Sequence, residues 1–304
     1  MDTSTASAPS ARTAEASRTT DLATARDGGH DPRLGLFWVL RIACACEFIG
    51  HGAFGIITKR EWVPYFGVAH IHPQAAYHVM PVVGGVDIML GILTVLRPCR
   101  AQLLYMAAWG LWTAALRPLS GESGWEMLER APNVLVPLSL LVVMGFPGSL
   151  RAWFMNPPRT PLPAALPTAD GFWQRRLAEW TIPQSRTLDG LLRLASAGAF
   201  IGHGAYGVFL HKPGWLPFFA RLGFTPQQVA ARDLINLVGG CEMLMGVCAL
   251  ALPVLPLLAV MVLWKFGTEL MWYPLSGKPI WEVVERASNY AAPLGVLLVH
   301  RRGG

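Results

Sequence analysis

The sequence predicts an all-α integral membrane protein of eight transmembrane helices, arranged as two four-helix bundle repeats of parallel orientation. Three observations predict it. The 304 residues are 53% hydrophobic and only 14% charged, whereas soluble domains carry charge on about a quarter of their residues. Apolar runs of about twenty residues recur, each long enough to cross a hydrocarbon core of about 30 Å as a helix. The chain also repeats itself. Phe48-Ile49-Gly50-His51-Gly52-Ala53-Phe54-Gly55 returns as Phe200-Ile201-Gly202-His203-Gly204-Ala205-Tyr206-Gly207, and Val83-Gly84-Gly85 before Asp87 returns as Val238-Gly239-Gly240 before Glu242. A third block, Pro118-Leu119-Ser120-Gly121, Trp125-Glu126, Glu129-Arg130-Ala131 and Asn133, reappears as Pro274-Leu275-Ser276-Gly277, Trp281-Glu282, Glu285-Arg286-Ala287 and Asn289. Three ordered blocks at nearly constant offset point to duplication of one unit.

The elements follow in chain order. Residues 1–33, rich in Ala, Ser, Thr and Arg with no apolar run, read as a disordered cytoplasmic tail. Residues 34–150 form the first four-helix membrane unit, with helices near 34–57, 75–97, 101–119 and 131–150. Residues 151–187 read as a cytoplasmic linker with Pro157-Pro158, Pro161 and Pro163, and the Trp/Arg alternation of Phe172–Trp180 suits a short helix at the headgroup level, with a plain linker as the alternative. Residues 188–304 form the second unit, with helices near 188–210, 229–251, 253–274 and 287–300. Gly, Ala and Ser within the runs let neighbouring helices approach closely, which predicts two bundles packed side by side. An even number of helices per unit gives both units the same orientation, related by an axis along the membrane normal.

Loop charges set the orientation. Thirteen Lys and Arg fall on the side of the termini and the linker, against eight on the other: Lys59, Arg60, Arg117, Arg130, Lys212, Arg221, Lys278 and Arg286. Both termini are therefore placed in the cytoplasm of a multi-pass plasma-membrane protein, with the Gly-His-Gly blocks and the Trp-Glu segments at the outer face. The formal charge of +6 reflects this topology; no basic face tracks a nucleic-acid backbone. No outer loop carries a cysteine, and Cys44, Cys46, Cys241 and Cys248 read as small packing residues. Nucleotide-binding Gly loops, a His-Glu-x-x-His pattern and a nucleophile elbow are absent, which argues against ATP-driven transport and soluble-type hydrolysis.

Ionisable groups deep in a bilayer cost about 2.5–3.5 kcal/mol each on insertion scales, so each needs a partner or a purpose. His51 and His203, flanked by Gly, are candidate proton-exchanging or catalytic groups, or packing histidines bonded to a carboxylate. Asp87 and Glu242 lie mid-helix and are their natural acid–base partners. Glu126, Glu129, Arg130 and Asn133, with Glu282, Glu285, Arg286 and Asn289, fall at helical spacings of three, four and seven. They read either as a solvated helix start or as a ligand-binding mouth in which Arg holds an anionic or quinone-like headgroup. Glu126 and Arg130, like Glu282 and Arg286, are expected i,i+4 pairs, as are Lys265 and Glu269, which occur in the second unit alone; Glu47 occupies the place of Ala199. His70, His72 and His78 have no counterpart in the second unit, and no metal site is expected from them. Arg41 and Arg193 are expected to snorkel to the cytoplasmic interface.

The first-helix Arg leading into Phe-Ile-Gly-His-Gly, the Gly-Gly-x-acid helix before Gly91 (Gly246) and the Pro-Leu-Ser-Gly…Trp-Glu…Glu-Arg…Asn segment together resemble the DoxX-like family of small bacterial membrane proteins, here in tandem. The family includes a subunit of thiosulfate:quinone oxidoreductase and membrane partners of redox enzymes. The resemblance thus implies a location in the bacterial inner membrane and a quinone-linked redox role as a membrane subunit beside a redox enzyme, with no covalently bound cofactor. The doubling and the lack of an outer-face cysteine depart from the family, which weighs against direct thiol chemistry. Each unit is expected to hold a polar pocket open to the outer face; a small-solute transporter or channel, or a non-catalytic assembly scaffold, would use the same residues differently.

Overall fold

A computed structural model describes residues 32–155, 182–211, 214–224 and 231–300; the expected tail and most of the linker, with its Trp/Arg segment, lie outside the described residues. All described secondary structure is helical. In chain order the helices are α1 (Pro32–Ile56), α2 (Val63–Val68, after a 3-10 turn at Arg60–Trp62), α3 (Pro73–Leu96), α4 (Arg100–Leu119), α5 (Gly124–Glu129), α6 (Ala131–Met144), α7 (Leu150–Phe154), α8 (Ile182–Val208), α9 (Trp215–Arg221), α10 (Ala231–Ala251), α11 (Leu255–Ser276), α12 (Trp281–Glu285) and α13 (Ala287–His300). The long helices lie where the apolar runs predicted them. The fourth run stops short of residue 150 because Gly145 leaves the helix at φ 71° and Pro147 follows. It also begins earlier, since α5 and α6 form a bent helix broken at Arg130, one residue before α6 starts on Ala131-Pro132.

Five segments are long and apolar enough to span a bilayer: Gly35–Ile56, Pro73–Leu96, Gly124–Met144, Arg232–Ala251 and Leu255–Leu275. Of these, α3, α10 and α11 keep most of their surface outside the protein core, with Val82, Met89, Leu96, Leu237, Leu244 and Leu263 all exposed. Apolar faces of that extent suit lipid as solvent. The chain is a membrane-associated helical bundle.

Glycine sets the tightest crossings. A Cβ added at Gly52 would fall 2.4 Å from the Gly84 carbonyl oxygen, and one at Gly204 would fall 2.4 Å from that of Gly239. Backbones at this range leave room only for hydrogen, so α1 is locked to α3 and α8 to α10. The repeated Gly-His-Gly and Gly-Gly blocks are therefore halves of one helix crossing, used twice.

The packing does not divide at the repeat boundary. Helix α6 packs more extensively on α8 than on α1, and α13 more on α1 than on α8. The bundle centre is the quartet α1, α6, α8 and α13, with α3, α4, α10 and α11 outside it. The expectation of two separate bundles side by side gives way to one interleaved body, because the small faces of α1 and α8 accept the bent fourth helix of the opposite repeat. Gly50 has the Glu285 backbone against it, and Gly202 the Glu129 backbone.

Within this body the interior toward the end where the described chain begins and ends is mainly apolar, with Arg41, Thr94, Arg100 and Gln102 among its buried polar residues. Phe37, Leu40, Leu103, Met106, Leu140, Leu192, Leu258, Met261 and Val296 form a continuous buried core there. Arg41 and Arg193 are both held at helix ends. Arg41 donates to the carbonyls of Thr94 and Val95, and Arg193 to those of Ala249 and Leu250, at the ends of α3 and α10. Arg100 does the same for α6, donating to Met144, Gly145 and Ala152 carbonyls. Terminal carbonyls lack helical partners and carry partial negative charge, so a guanidinium placed against them satisfies both needs.

Candidate functional site

The two histidines find the carboxylates that the repeats set out for them. His51 Nδ1 lies 2.9 Å from Asp87 Oδ2, and His203 Nδ1 lies 2.5 Å from Glu242 Oε2. Both carboxylates are 1% exposed. A hydrogen bond at Nδ1 orients each imidazole and leaves Nε2 as the second proton-exchanging atom. Each ring is also covered by an indole: Trp62 lies 4.4 Å from His51 and Trp215 lies 4.9 Å from His203, centroid to centroid, tilted by 30° and 31°. Neither Trp was singled out from the sequence. A readable signal was present, since Trp62-Val63-Pro64-Tyr65-Phe66 returns as Trp215-Leu216-Pro217-Phe218-Phe219 soon after each His.

The acidic and basic residues ahead of the fourth helices join the two repeats. Arg130 bonds Glu126 and Glu129, both at 3.2 Å. Glu129 also accepts from Tyr206 of the other repeat at 2.7 Å and lies 3.7 Å from Arg286. The expected Glu126–Arg130 pair thus forms, but its counterpart Glu282–Arg286 does not. Arg286 instead bonds Glu269 at 2.9 Å, while Glu282 lies 3.8 Å from Lys59 and accepts from Trp272 Nε1. The expected Lys265–Glu269 pair is absent for a related reason. Lys265, with no exposed surface, lies across from Glu242 Oε1 at 3.4 Å as an ion pair without a hydrogen bond, and Trp264 Nε1 donates to that oxygen at 2.8 Å. Spacing on one helix misled here because buried charges choose partners on neighbouring helices.

Glu47 is buried and accepts from Ser288 Oγ at 2.5 Å, again across the repeats. Asn133 and Asn289 sit one turn into α6 and α13; Asn133 presents its backbone to Gly110. Glu285, packed on Gly50, forms no side-chain hydrogen bond or ion pair with a described residue, unlike its counterpart Glu129.

One cavity of about 1060 Å³ unites these groups. Its walls include His51, His203, Glu126, Glu129, Arg130, Asn133, Glu242, Glu282, Glu285, Arg286 and Asn289, together with Trp62, Trp109, Trp215 and Trp264. Asp87 stands behind His51. Each repeat is expected from its sequence to hold its own pocket; in the structure the exchange of the fourth helices brings both histidines to the wall of this one cavity. At its rim Tyr65 donates to Glu122 Oε1, with Arg117 bonded to the same carboxylate. Lys59 lies over the Phe54 ring at 3.9 Å. Burial pushes the Lys59 ammonium below its ordinary pKa and the Tyr65 phenol above its own.

Chemically, the arrangement offers two oriented imidazoles, indole walls and a charge imbalance: nine glutamates line the cavity against five lysines and arginines. Among the described residues no group of three His, Cys, Asp or Glu is placed to hold a metal ion. The imidazoles and carboxylates themselves offer proton exchange and hydrogen bonding. No protein family, no curated protein and no solved structure matches the chain.

Proposed function

We propose that the chain is a multi-pass membrane protein whose cavity shared by both His–carboxylate pairs binds a small planar ligand with carbonyl oxygens, a quinone headgroup, and exchanges protons with it as the membrane subunit of a redox system. Eight transmembrane helices in two duplicated, parallel units, with both termini in the cytoplasm of a bacterial plasma membrane and DoxX-like kinship, belong to the same proposal. The observation that carries it is that both His–carboxylate pairs face one cavity whose carboxylates outnumber its cations. A low-dielectric space with that imbalance is neutralised by protons, the commodity that quinone reduction consumes. The quinone, taking electrons from a partner redox enzyme, supplies the two-electron chemistry.

The residues divide the remaining work. His51 and His203 present Nε2 toward the ligand oxygens, Asp87 and Glu242 hold the rings, and Trp62 and Trp215 flank the ligand plane. Arg130 and Arg286 hold polar oxygen. The channel reading is opposed by the apolar core that closes the termini end.

The test is saturable quenching of tryptophan emission by decylubiquinone in purified wild type, His51→Ala, His203→Ala and the double variant at matched concentration. Weakened binding in each single variant and loss in the double are expected. Identical curves for all four would sink the ligand reading and leave a scaffold, in which His51→Ala lowers abundance alone.

A further inference from the structure

The two His–carboxylate pairs have different neighbours. Around His51 stand Asp87 from α3, Glu47 from its own helix and Glu282 and Glu285 from α12; Lys59 is paired to Glu282, and Arg286 acts on Glu282 and Glu285, but among the described residues no lysine or arginine lies against Asp87 itself. Asp87 Oδ1 has no hydrogen-bond partner among the described residues, and neither does the buried Trp109 Nε1 on α4. Around His203 stand Glu242 from α10 and Glu126 and Glu129 from α5, but here Lys265 and Arg130 answer them together with the shared Arg286. Lys265 lies against Glu242, and Arg130 and Arg286 against Glu129; Arg286 also holds Glu269 of α11. Tyr206 and Trp264 satisfy further carboxylate oxygens. At the matching positions of the first site the residues are Phe54, where Tyr206 stands, and Trp109, where Lys265 stands.

Charge counting then separates the pairs. An ionised Glu242 beside an ammonium is already neutral, so a proton added to His203 leaves a net positive charge in a buried site. An ionised Asp87 is neutralised only when its own pair takes a proton. We propose that His51 with Asp87 takes up and releases the proton, while His203 is a fixed hydrogen-bonding anchor held by Glu242, with Lys265 and Trp264 as positioning residues. This rests on the reading of the cavity as a proton-exchanging site and assigns its two halves unequal roles.

The indoles lying over the two histidines supply the reporter, because a protonated imidazole quenches an adjacent indole more than a neutral one. The experiment follows tryptophan emission during acid titration of the full chain in detergent, for wild type, Trp62→Phe, Trp215→Phe, Lys265→Met and Asp87→Asn. The expected result is a quenching step in wild type that Trp62→Phe removes and Trp215→Phe retains. Lys265→Met adds a second step, which Trp215→Phe in that background abolishes. Asp87→Asn keeps Trp62 and displaces the first step toward acid pH, which decides the matter should Trp62→Phe fail to fold. A step lost with Trp215, shared equally, absent from wild type or indifferent to Asp87 would overturn the assignment. None of these readouts uses decylubiquinone, so failure of the ligand reading and failure of this division of labour are seen separately.

Discussion

Gly52→Ala tests the crossing that brings His51 to Asp87. The new Cβ would sit 2.4 Å from the Gly84 carbonyl oxygen, 2.8 Å from Ile88 Cγ1 and 2.9 Å from the Ile88 amide nitrogen, so movement of the Ile88 side chain alone leaves the backbone clash in place. Reaching ordinary contact at 3.4 Å requires α1 and α3 to part by about 1 Å at this point. The neighbouring His51–Asp87 bond, 2.9 Å long, then exceeds the hydrogen-bond range of about 3.5 Å. Overpacking of this kind costs about 1–3 kcal/mol, which outweighs the roughly 0.5–1 kcal/mol that Ala gains over Gly within a helix. Gly85→Ala is the matched control, since nothing lies within 4 Å of its added Cβ, and it should be neutral or slightly stabilising. Thermal unfolding of both purified variants in one detergent measures the difference. Gly52→Ala as stable as Gly85→Ala would refute the claim that glycine contact sets this crossing.

Other residues give independent tests. Arg130→Gln strips the nearest cation from Glu129 and should destabilise by about 3–5 kcal/mol, while Glu129→Gln added to it recovers part of the loss in the same melt. Arg100→Ala removes three carbonyl partners at the termini end and should cost about 1.5–3 kcal/mol without changing decylubiquinone affinity, as measured by tryptophan quenching. Tyr65→Phe tests a pH dependence. Because burial raises the folded pKa of Tyr65 above its usual value near 10, its contribution is complete below that pH and is lost as pH rises toward the folded pKa. Denaturation against pH should therefore fall less steeply above about pH 10 in Tyr65→Phe than in wild type.

Much of this arrangement was legible in the sequence because it rests on local periodicity and repetition. Apolar runs located the long helices, and the matched Gly-His-Gly and Gly-Gly-x-acid blocks paired His51 with Asp87 and His203 with Glu242 before any coordinates. What stayed hidden depended on which helices become neighbours. The crossing of α6 to α8 and of α13 to α1 leaves no periodic trace, yet it merges two expected pockets into one and sends Ser288 to Glu47 and Tyr206 to Glu129. Lys265 shows the same limit, since Glu269 lay at the right spacing on its own helix while Glu242, on another, lay at the right distance. Trp62 and Trp215 were overlooked for a different reason: aromatic residues beside a membrane helix have an ordinary interfacial explanation, and only their packing against histidine sets them apart.

The account stands most directly on the claim that both repeats build one ligand site. Equilibrium titration of the purified, quantified chain with decylubiquinone at concentrations well above the dissociation constant measures the stoichiometry. One molecule bound per chain, with binding weakened by both His51→Ala and His203→Ala, is the predicted result; two molecules per chain, each lost with only one of the histidines, would contradict it.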